Sequence, residues 1–320
     1  MDLTLWPDSI AQTATPSIVT VGMFDGVHAG HRFLLSVLAG EARSRGLRPV
    51  ALTFDRHPLS IIDPLRAPAM LAPLPERLAM MEACGCTAAA IHFDEATRRL
   101  TATQFMATLR SQLGAETLLM GFNHRLGHDR LSTPGQYRQA AAEAGVEVQF
   151  APPLPRHYGG APVSSSAIRE ALRQGAARQA AEMLGRHYAL EGTVGHGQRI
   201  GRTLGFPTAN VAVEPEDMLI PAHGVYAAIA FTSDGRRHFA VVNIGVRPTV
   251  DTTVSPAVSV EAYLLGYDGD LYGHRLKVEF VERLRPEMRF GSVMELRSQI
   301  AADAKAARAV LSAEADKEMP

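Results

Sequence analysis

Three features of this 320-residue chain predict an α/β protein in two parts. Up to Leu184, short apolar runs alternate with longer stretches of helical period, the pattern of a parallel sheet with helices on both faces. From His187 onward, short runs broken by Gly, Pro and Asp predict a second, mostly antiparallel domain. A closing stretch with Leu296, Ile300, Ala307 and Val310 or Leu311 on one side predicts a terminal helix. The division is placed at residues 1–185 and 186–320.

Each element follows from its pattern. Ile18, Val19 and Val21 form the first strand, and Phe33, Leu34, Val37 and Leu38 mark a helix running to Arg45. Residues 49–54 are a second strand, ended by Asp55-Arg-His-Pro58; Pro64, Pro68, Pro73 and Pro75 then mark a long irregular loop. A helix is expected near 76–81, a strand at 87–93, a helix at 103–113, a strand at 117–121, a helix at 136–144 and a strand at 146–150. Helical runs at 170–174 and 176–184 complete the first part. The second part carries expected strands at 188–194, 225–231, 239–244, 258–265 and 276–284, then a helix at 293–311.

Bulk properties narrow the classes of function. With 32 basic against 33 acidic residues there is no electrostatic footprint for nucleic acid or an anionic membrane as a main partner. No apolar run reaches about 18 residues, so no membrane span is expected. The opening Met1-Asp-Leu-Thr-Leu-Trp-Pro lacks the basic and apolar regions of a secretory signal. Cys84 and Cys86 are too close for an easy disulfide and too few for a closed zinc site, so they are read as reduced thiols of a cytoplasmic protein. Self-association stays open.

In a parallel sheet, ligands meet the carboxyl ends of the strands. The segments expected there are Gly22-Met-Phe-Asp-Gly-Val-His-Ala-Gly-His31, then Phe54 to Pro58, then Gly121-Phe-Asn-His-Arg-Leu-Gly-His-Asp-Arg130. The first joins a strand to a helix, where unpaired N–H groups and the positive end of the helix dipole can receive a phosphate. Gly26 and Gly30 let a ligand approach the backbone. His28 and His31, three apart, share a helix face and can donate to phosphate oxygens as charge builds in an attack on phosphorus. Spacing alone also allows two metal ligands beside Asp25, or surface histidines without a role. The third segment, on its residues alone, is equally a polar loop. Further on, Ser164, Ser165 and Ser166 precede a helical run as N-cap residues, and Arg169 follows them.

In the second part the chemistry gathers in Gly195-His-Gly-Gln-Arg-Ile-Gly-Arg-Thr-Leu-Gly-Phe-Pro-Thr-Ala-Asn210. Pro207 and the β-type flanks argue against a dinucleotide fingerprint, and no Gly-x-x-x-x-Gly-Lys-Ser/Thr loop is present. A loop wrapping phosphates is the alternative, with the Thr208 hydroxyl and Asn210 amide oxygen as hard ligands suited to Mg2+; an ordinary turn explains the tetrapeptide taken alone. Glu261, set among Val258, Val260, Tyr263 and Leu264, is either solvent-facing or directed into a cleft.

Two of these motifs carry a family resemblance. The run from Gly22 to His31 resembles the nucleotidyltransferase signature in the form found in bifunctional riboflavin kinase/FMN adenylyltransferases. The run from Gly201 to Asn210 is similar to the riboflavin kinase signature of the same enzymes. Gly224-Val-Tyr226, Asn243-Ile-Gly-Val-Arg-Pro-Thr249, Asp270-Leu-Tyr-Gly273 and Leu284-Arg-Pro-Glu-Met-Arg-Phe290 extend the resemblance almost to the end of the chain.

The resemblance implies a nucleotidyltransferase-type parallel sheet followed by an antiparallel, barrel-like kinase domain with a terminal helix. It implies phosphorylation of riboflavin with MgATP to FMN, then adenylyl transfer from ATP to FMN giving FAD and pyrophosphate. Gly22, Phe24, Asp25, Gly26, Gly30, Ser164, Ser165 and Ser166 would bind the ATP of the transfer, with His28, His31 and Arg169 stabilising its developing charge. Phe54, His57, Pro58, Asn123 and Arg125 would meet the flavin. In the kinase, Gly195, His196, Gly197, Gly201, Arg202, Gly205, Phe206, Pro207, Asn243, Arg285 and Glu287 would bind ATP or flavin, Thr208 and Asn210 the Mg2+, and Glu261 would be the base.

The segments Gly121 to Arg130 and Ser164 to Arg169 also resemble the family's patterns, with departures at His124, Leu126 and Ser132 in the first and Ser166 for threonine in the second. His124 and Leu126 stand where the family carries aromatic residues that shape the flavin and nucleotide pocket, and Arg56 stands where proline is frequent. They imply a pocket altered in shape or strength, and so keep open a kinase with a weakened or redirected adenylyltransferase. A transferase for another phosphorylated acceptor, such as phosphopantetheine, would leave Thr208, Asn210 and Glu261 idle. A non-catalytic flavin-binding regulator would be expected to lack His31 or Glu261.

Overall fold

The computed structural model describes residues 3–6, 10, 15–121, 124–154, 162–196, 201, 204–246 and 258–318. The chain forms two compact units, Met1–Ser164 and Ser165–Pro320.

The first unit is built on a six-stranded sheet: β1 (Leu5–Trp6), β2 (Ser17–Val21), β3 (Arg48–Phe54), β4 (Thr87–Ile91), β5 (Ala115–Met120) and β6 (Glu147–Phe150). Its order is β1-β4-β3-β2-β5-β6. The last five strands pair in parallel, as the alternating pattern predicts, and β1 adds an antiparallel edge against β4. At two residues, β1 is too short to carry a period.

Every residue of β2 is buried, as a central strand covered on both faces requires. Ile18 faces one core with Leu35, Leu38 and Leu119, while Val19 and Val21 face another with Leu52, Phe105 and Leu118. The helices are α1 (Ala29–Arg45), α3 (Leu74–Glu82), α5 (Ala102–Leu113) and α6 (Pro134–Ala144), with the short α2 (Leu59–Ile62) and α4 (Glu95–Arg98) inside segments expected to be loop. Capping boxes at Thr101/Gln104 and Thr133/Gln136 start α5 and α6, and Gly46, Gly114 and Gly145 end α1, α5 and α6 in the left-handed conformation. From β2 the chain runs outward to β3 and β4 on one side and returns to β5 and β6 on the other. The switch point therefore lies at the carboxyl end of β2.

The second unit begins with α7 (Ser165–Arg173) and α8 (Ala177–Leu184), so its start precedes the sequence division at 185/186. A closed barrel follows, in the order β10-β11-β8-β7-β12-β9. Its strands are β7 (Tyr188–Gly195), β8 (Ala209–Val213), β9 (Gly224–Thr232), β10 (Arg237–Val246), β11 (Val258–Leu264) and β12 (Arg275–Arg285). Tyr188 stacks on Phe280 and Tyr226 meets the same ring edge-on, forming a buried aromatic centre.

The fold class is as expected, with β8 added: its first two residues belong to the loop motif, which hid it. Helix α9 (Val293–Glu318) packs on β9, β10 and β12 with Ala307 and Leu311 fully buried. It runs beyond the expected end at 311 because the last turns are helix-favouring but polar, with no apolar stripe to mark them.

Candidate active sites

After β2 the backbone makes a tight turn before α1. Phe24 (φ 45°) and Val27 (φ 37°) are non-glycine residues in the left-handed region, flanking Gly26 at φ 75°. Such strain is retained where the surroundings dictate the turn. Here Phe24, Asp25 and Val27 are all buried. The Asp25 carboxylate accepts the N–H groups of Leu71 (2.9 Å) and Ala72 (3.3 Å), anchoring the loop before α3. The residue expected to meet ATP is thus 1% exposed and holds the turn in place.

His28 is the N-cap of α1: its Nδ1 accepts the His31 N–H at 3.3 Å. Its proton is therefore on Nε2. The two imidazoles stack at 3.7 Å with planes 16° apart, and Phe24 meets His31 edge-on at 5.2 Å. A Cβ on Gly30 would come within 3.2 Å of the His28 ring. Burial, and then the neighbouring His28, hold the His31 pKa well below the ordinary value, so near neutrality His31 is an uncharged donor. The alternative of a metal pair beside Asp25 finds no support: no group of three or more His, Cys, Asp or Glu able to hold a metal forms among the described residues.

The segment after β3 is ordered through its own side chains. Asp55 accepts the Phe93 N–H at 2.9 Å and lies 2.7 Å from His92 Nδ1. Desolvation would raise its pKa, but the bonds from Phe93 and His92 and the neighbouring Arg56 guanidinium together outweigh it and lower it. Arg56 is exposed beside it, at 3.4 Å. Phe54 packs edge-on against Phe93 at 5.3 Å. Pro58 is the N-cap of α2, and His57 Nδ1 accepts the Leu59 N–H at 3.1 Å.

After β5, Asn123 lies outside the described residues, Arg125 is exposed, and burial pushes His124 down to about 4. Leu126 is a core residue, 6% exposed; its N–H donates to the Tyr137 hydroxyl at 3.0 Å. Replacement of an aromatic residue there alters the core rather than an open pocket wall. Ser164 ends the first unit; Ser165, Ser166 and Arg169 belong to α7 of the second, where Ser166 is exposed and Arg169 buried.

Sequence reasoning missed Arg77, on α3 and only 1% exposed. Its Nη1 donates to Met23 O (3.0 Å), Thr53 Oγ1 (2.8 Å) and Phe54 O (3.0 Å), and its Nη2 to Asp55 O (3.3 Å). The only signal was a basic residue in a short helical run, which ordinarily faces water.

In the barrel, the strand register assembles the kinase candidates. Glu261 of β11 stands opposite Asn243 of β10 on one side and Asn210 of β8 on the other, and Asn210 stands opposite Gly195 of β7. Opposed residues of antiparallel strands share a face, so Asn243, Glu261 and Asn210 form one row. Val260, Ala262 and Leu264 are buried between half-buried Glu261 and Tyr263, which places the row on the face away from the barrel interior.

Phe206 packs edge-on against Tyr263 at 5.5 Å. Gly201 closes the preceding turn by accepting the Leu204 and Phe206 N–H groups, and a Cβ there would lie 2.4 Å from the Phe206 carbonyl oxygen. Gly205, at φ 85°, completes the turn; Gly197 and Arg202 lie outside the described residues.

A cavity of about 540 Å³ opens at the barrel mouth, lined by Pro207, Thr208, Ala262, Leu264, Asp270 and Tyr272 among others. It takes in Thr208 but not Glu261 or Asn210. His196 lies against Tyr272 at 4.3 Å. Glu287 lies over Gly245, where a Cβ would collide with its carboxylate, and 3.6 Å from His223. Arg285, expected on the flavin side, is committed elsewhere: Nε and Nη2 grip the buried Asp303 carboxylate of α9 at 2.8–3.1 Å, and the guanidinium lies over Phe290 at 5.8 Å.

Comparison with known proteins matches both parts of the chain. A family model described as FAD synthetase matches residues 10–167, and one described as riboflavin kinase matches residues 184–311. The bifunctional riboflavin kinase/FMN adenylyltransferase of Escherichia coli (strain K12) is 36% identical over 293 residues, 91% of each chain. That of Pseudomonas fluorescens is 35% identical over 94% of each. A crystal structure titled as a macrolide-efflux protein from Streptococcus pneumoniae matches with a TM-score of 0.83 at 28% identity, covering 94% of this chain and 96% of that one. No helix among the described residues is long and apolar enough to cross a membrane. With both models matched in chain order and such relatives aligned along more than nine-tenths of its length, the chain belongs to the bifunctional riboflavin kinase/FMN adenylyltransferase family.

Proposed function

We propose that this chain makes FAD from riboflavin in two steps, with residues 186–320 as the kinase and residues 1–185 as the adenylyltransferase, in the cytoplasm. In the first step Glu261 takes the proton from the terminal ribityl hydroxyl as that oxygen bonds to the γ-phosphorus of ATP and the bond from that phosphorus to the β,γ-bridging oxygen breaks, releasing ADP. The observation that carries this reading is the row of Asn243, Glu261 and Asn210 across three paired strands, which sets a carboxylate beside amide groups on one face.

A hydroxyl from Thr208 and an amide oxygen from Asn210 are hard, neutral donors, a set that fits Mg2+ still carrying phosphate oxygens and water. When bound, Mg2+ neutralises phosphate charge. Gly201 and Gly205 supply the tight turn on which Thr208 is carried.

In the second step the FMN phosphate is already an anionic nucleophile, so no strong base is needed. His28 and His31 act as N–H donors to the phosphates at the start of α1, His31 as an uncharged one, and Arg169 opposes the charge of the departing pyrophosphate. Phe54, His57 and Pro58 form the flavin side of this site. Asp25 contributes by fixing the turn.

Purified protein incubated with MgATP and either riboflavin or FMN, followed by chromatography of the flavins, tests the proposal. FMN and then FAD are expected from riboflavin, and FAD from FMN. FMN as the sole product would identify a kinase without effective adenylyl transfer, and absence of both would refute the reading.

A further inference from the structure

We infer that Arg77 is a positioning residue for adenylyl transfer, setting the distance between the turn that holds ATP and the segment that holds FMN; this rests on the proposed function of the first unit. Arg77 touches both strand ends at once. One guanidinium donates to Met23 O, just beyond β2, and to Phe54 O and Asp55 O, at the end of β3. Thr53 Oγ1 relays between them: it accepts from Arg77 at 2.8 Å and donates to Met23 O at 2.7 Å. Both side chains are buried, Thr53 at 0% and Arg77 at 1% exposure. The Asp25 contacts with Leu71 and Ala72 fasten the loop leading into α3 to the same turn.

A guanidinium suits this task because its planar fork offers several donors in fixed directions, which an ammonium on a flexible stem does not. Peptide planarity adds a second effect. Turning the carbonyls of Met23 and Asp55 toward Arg77 turns the N–H groups of Phe24 and Arg56 away from it. A cation behind these peptide groups polarises them and strengthens their N–H groups toward an anion. The ligands of this edge under the proposed function are the phosphates of ATP and FMN. Arg77 would thus act through the backbone, without touching either substrate. In adenylyl transfer the FMN phosphate oxygen bonds to the α-phosphorus as the bond to the pyrophosphate oxygen breaks, so alignment of the two anions governs the rate.

Steady-state kinetics on the full chain test this, with Arg77→Met, Arg77→Lys and Thr53→Val compared with wild type. In Arg77→Met the kcat for FAD formation from FMN should fall about 100-fold, the size expected for a misplacement near 1 Å. KM for ATP and FMN should rise by a smaller factor than kcat falls, and FMN formation from riboflavin by the same preparation should be unaffected. Arg77→Lys should recover part of the loss, and Thr53→Val should cost about tenfold in kcat alone. Unchanged kcat in Arg77→Met, or a loss confined to KM, would overturn the inference. If Arg77→Met does not fold, Thr53→Val decides: a lowered kcat supports the inference and a wild-type kcat overturns it. Absence of FAD from the wild type would overturn the functional reading and this inference with it, whereas wild-type turnover matched by Arg77→Met overturns the inference alone.

Discussion

Two half-buried histidines, His31 and His124, give the first unit an acid-side pH dependence of the same sign. His124 titrates near 6.5 when unfolded and about 4 when folded, because burial disfavours its charged form. Between those values the unfolded chain binds the extra proton, so stability falls as pH is lowered from about 6.5 to about 4 and is unaffected by this group above 6.5. The direction for His31 is the same. Replacing His124 with Gln should flatten the dependence of the first unit's melting temperature on pH across that window, leaving it unchanged at pH 8. An equally steep acid loss in the variant would show that other groups carry it.

Roles at this scale were only partly legible in the sequence. The pairing of His28 with His31 follows from their spacing. The duty of Asp25 toward Leu71 and Ala72 does not, because it depends on a contact 46 residues away. Arg77 was illegible for the same reason, its partners Met23 and Thr53 being distant in the chain.

Among elements, the junction of β12 with α9 depends on one ion pair. Arg285 and Asp303 are mostly shielded from water and meet through three bonds, with Gln299 donating to Asp303 as well. Removing one partner of a buried pair leaves an uncompensated charge and costs about 3–5 kcal/mol. Asp303→Ala should therefore destabilise the second unit by about 3 kcal/mol, read as a lower denaturant midpoint, with faster amide exchange in α9. A midpoint within experimental error of wild type would refute the assignment.

The alternation of periods made the five parallel strands and the main helices readable, since each buries a regular face. It could not expose β8. That strand starts inside a loop motif, and its partners are set by barrel closure, which local sequence does not encode. The same closure places Asn210 opposite Glu261, so the motifs were legible one by one while their juxtaposition was not.

At the scale of the whole molecule, candidate residues gather at the switch point of a parallel sheet in the first unit and along a cross-strand row on a closed barrel in the second. Family resemblance named both reactions from short motifs. Residues outside those motifs, such as Arg77 and Asp303, came into view only with the fold. The central claim is that the two chemistries are separable in one chain. It is tested most directly by chromatography of the flavins formed by Glu261→Gln and His31→Ala, each supplied separately with riboflavin and with FMN. Glu261→Gln should slow FMN formation by roughly 10²-fold or more while still converting supplied FMN to FAD. His31→Ala should accumulate FMN from riboflavin and lose most FAD formation, by about 10²-fold or more. Loss of both activities in either folded variant would contradict the account.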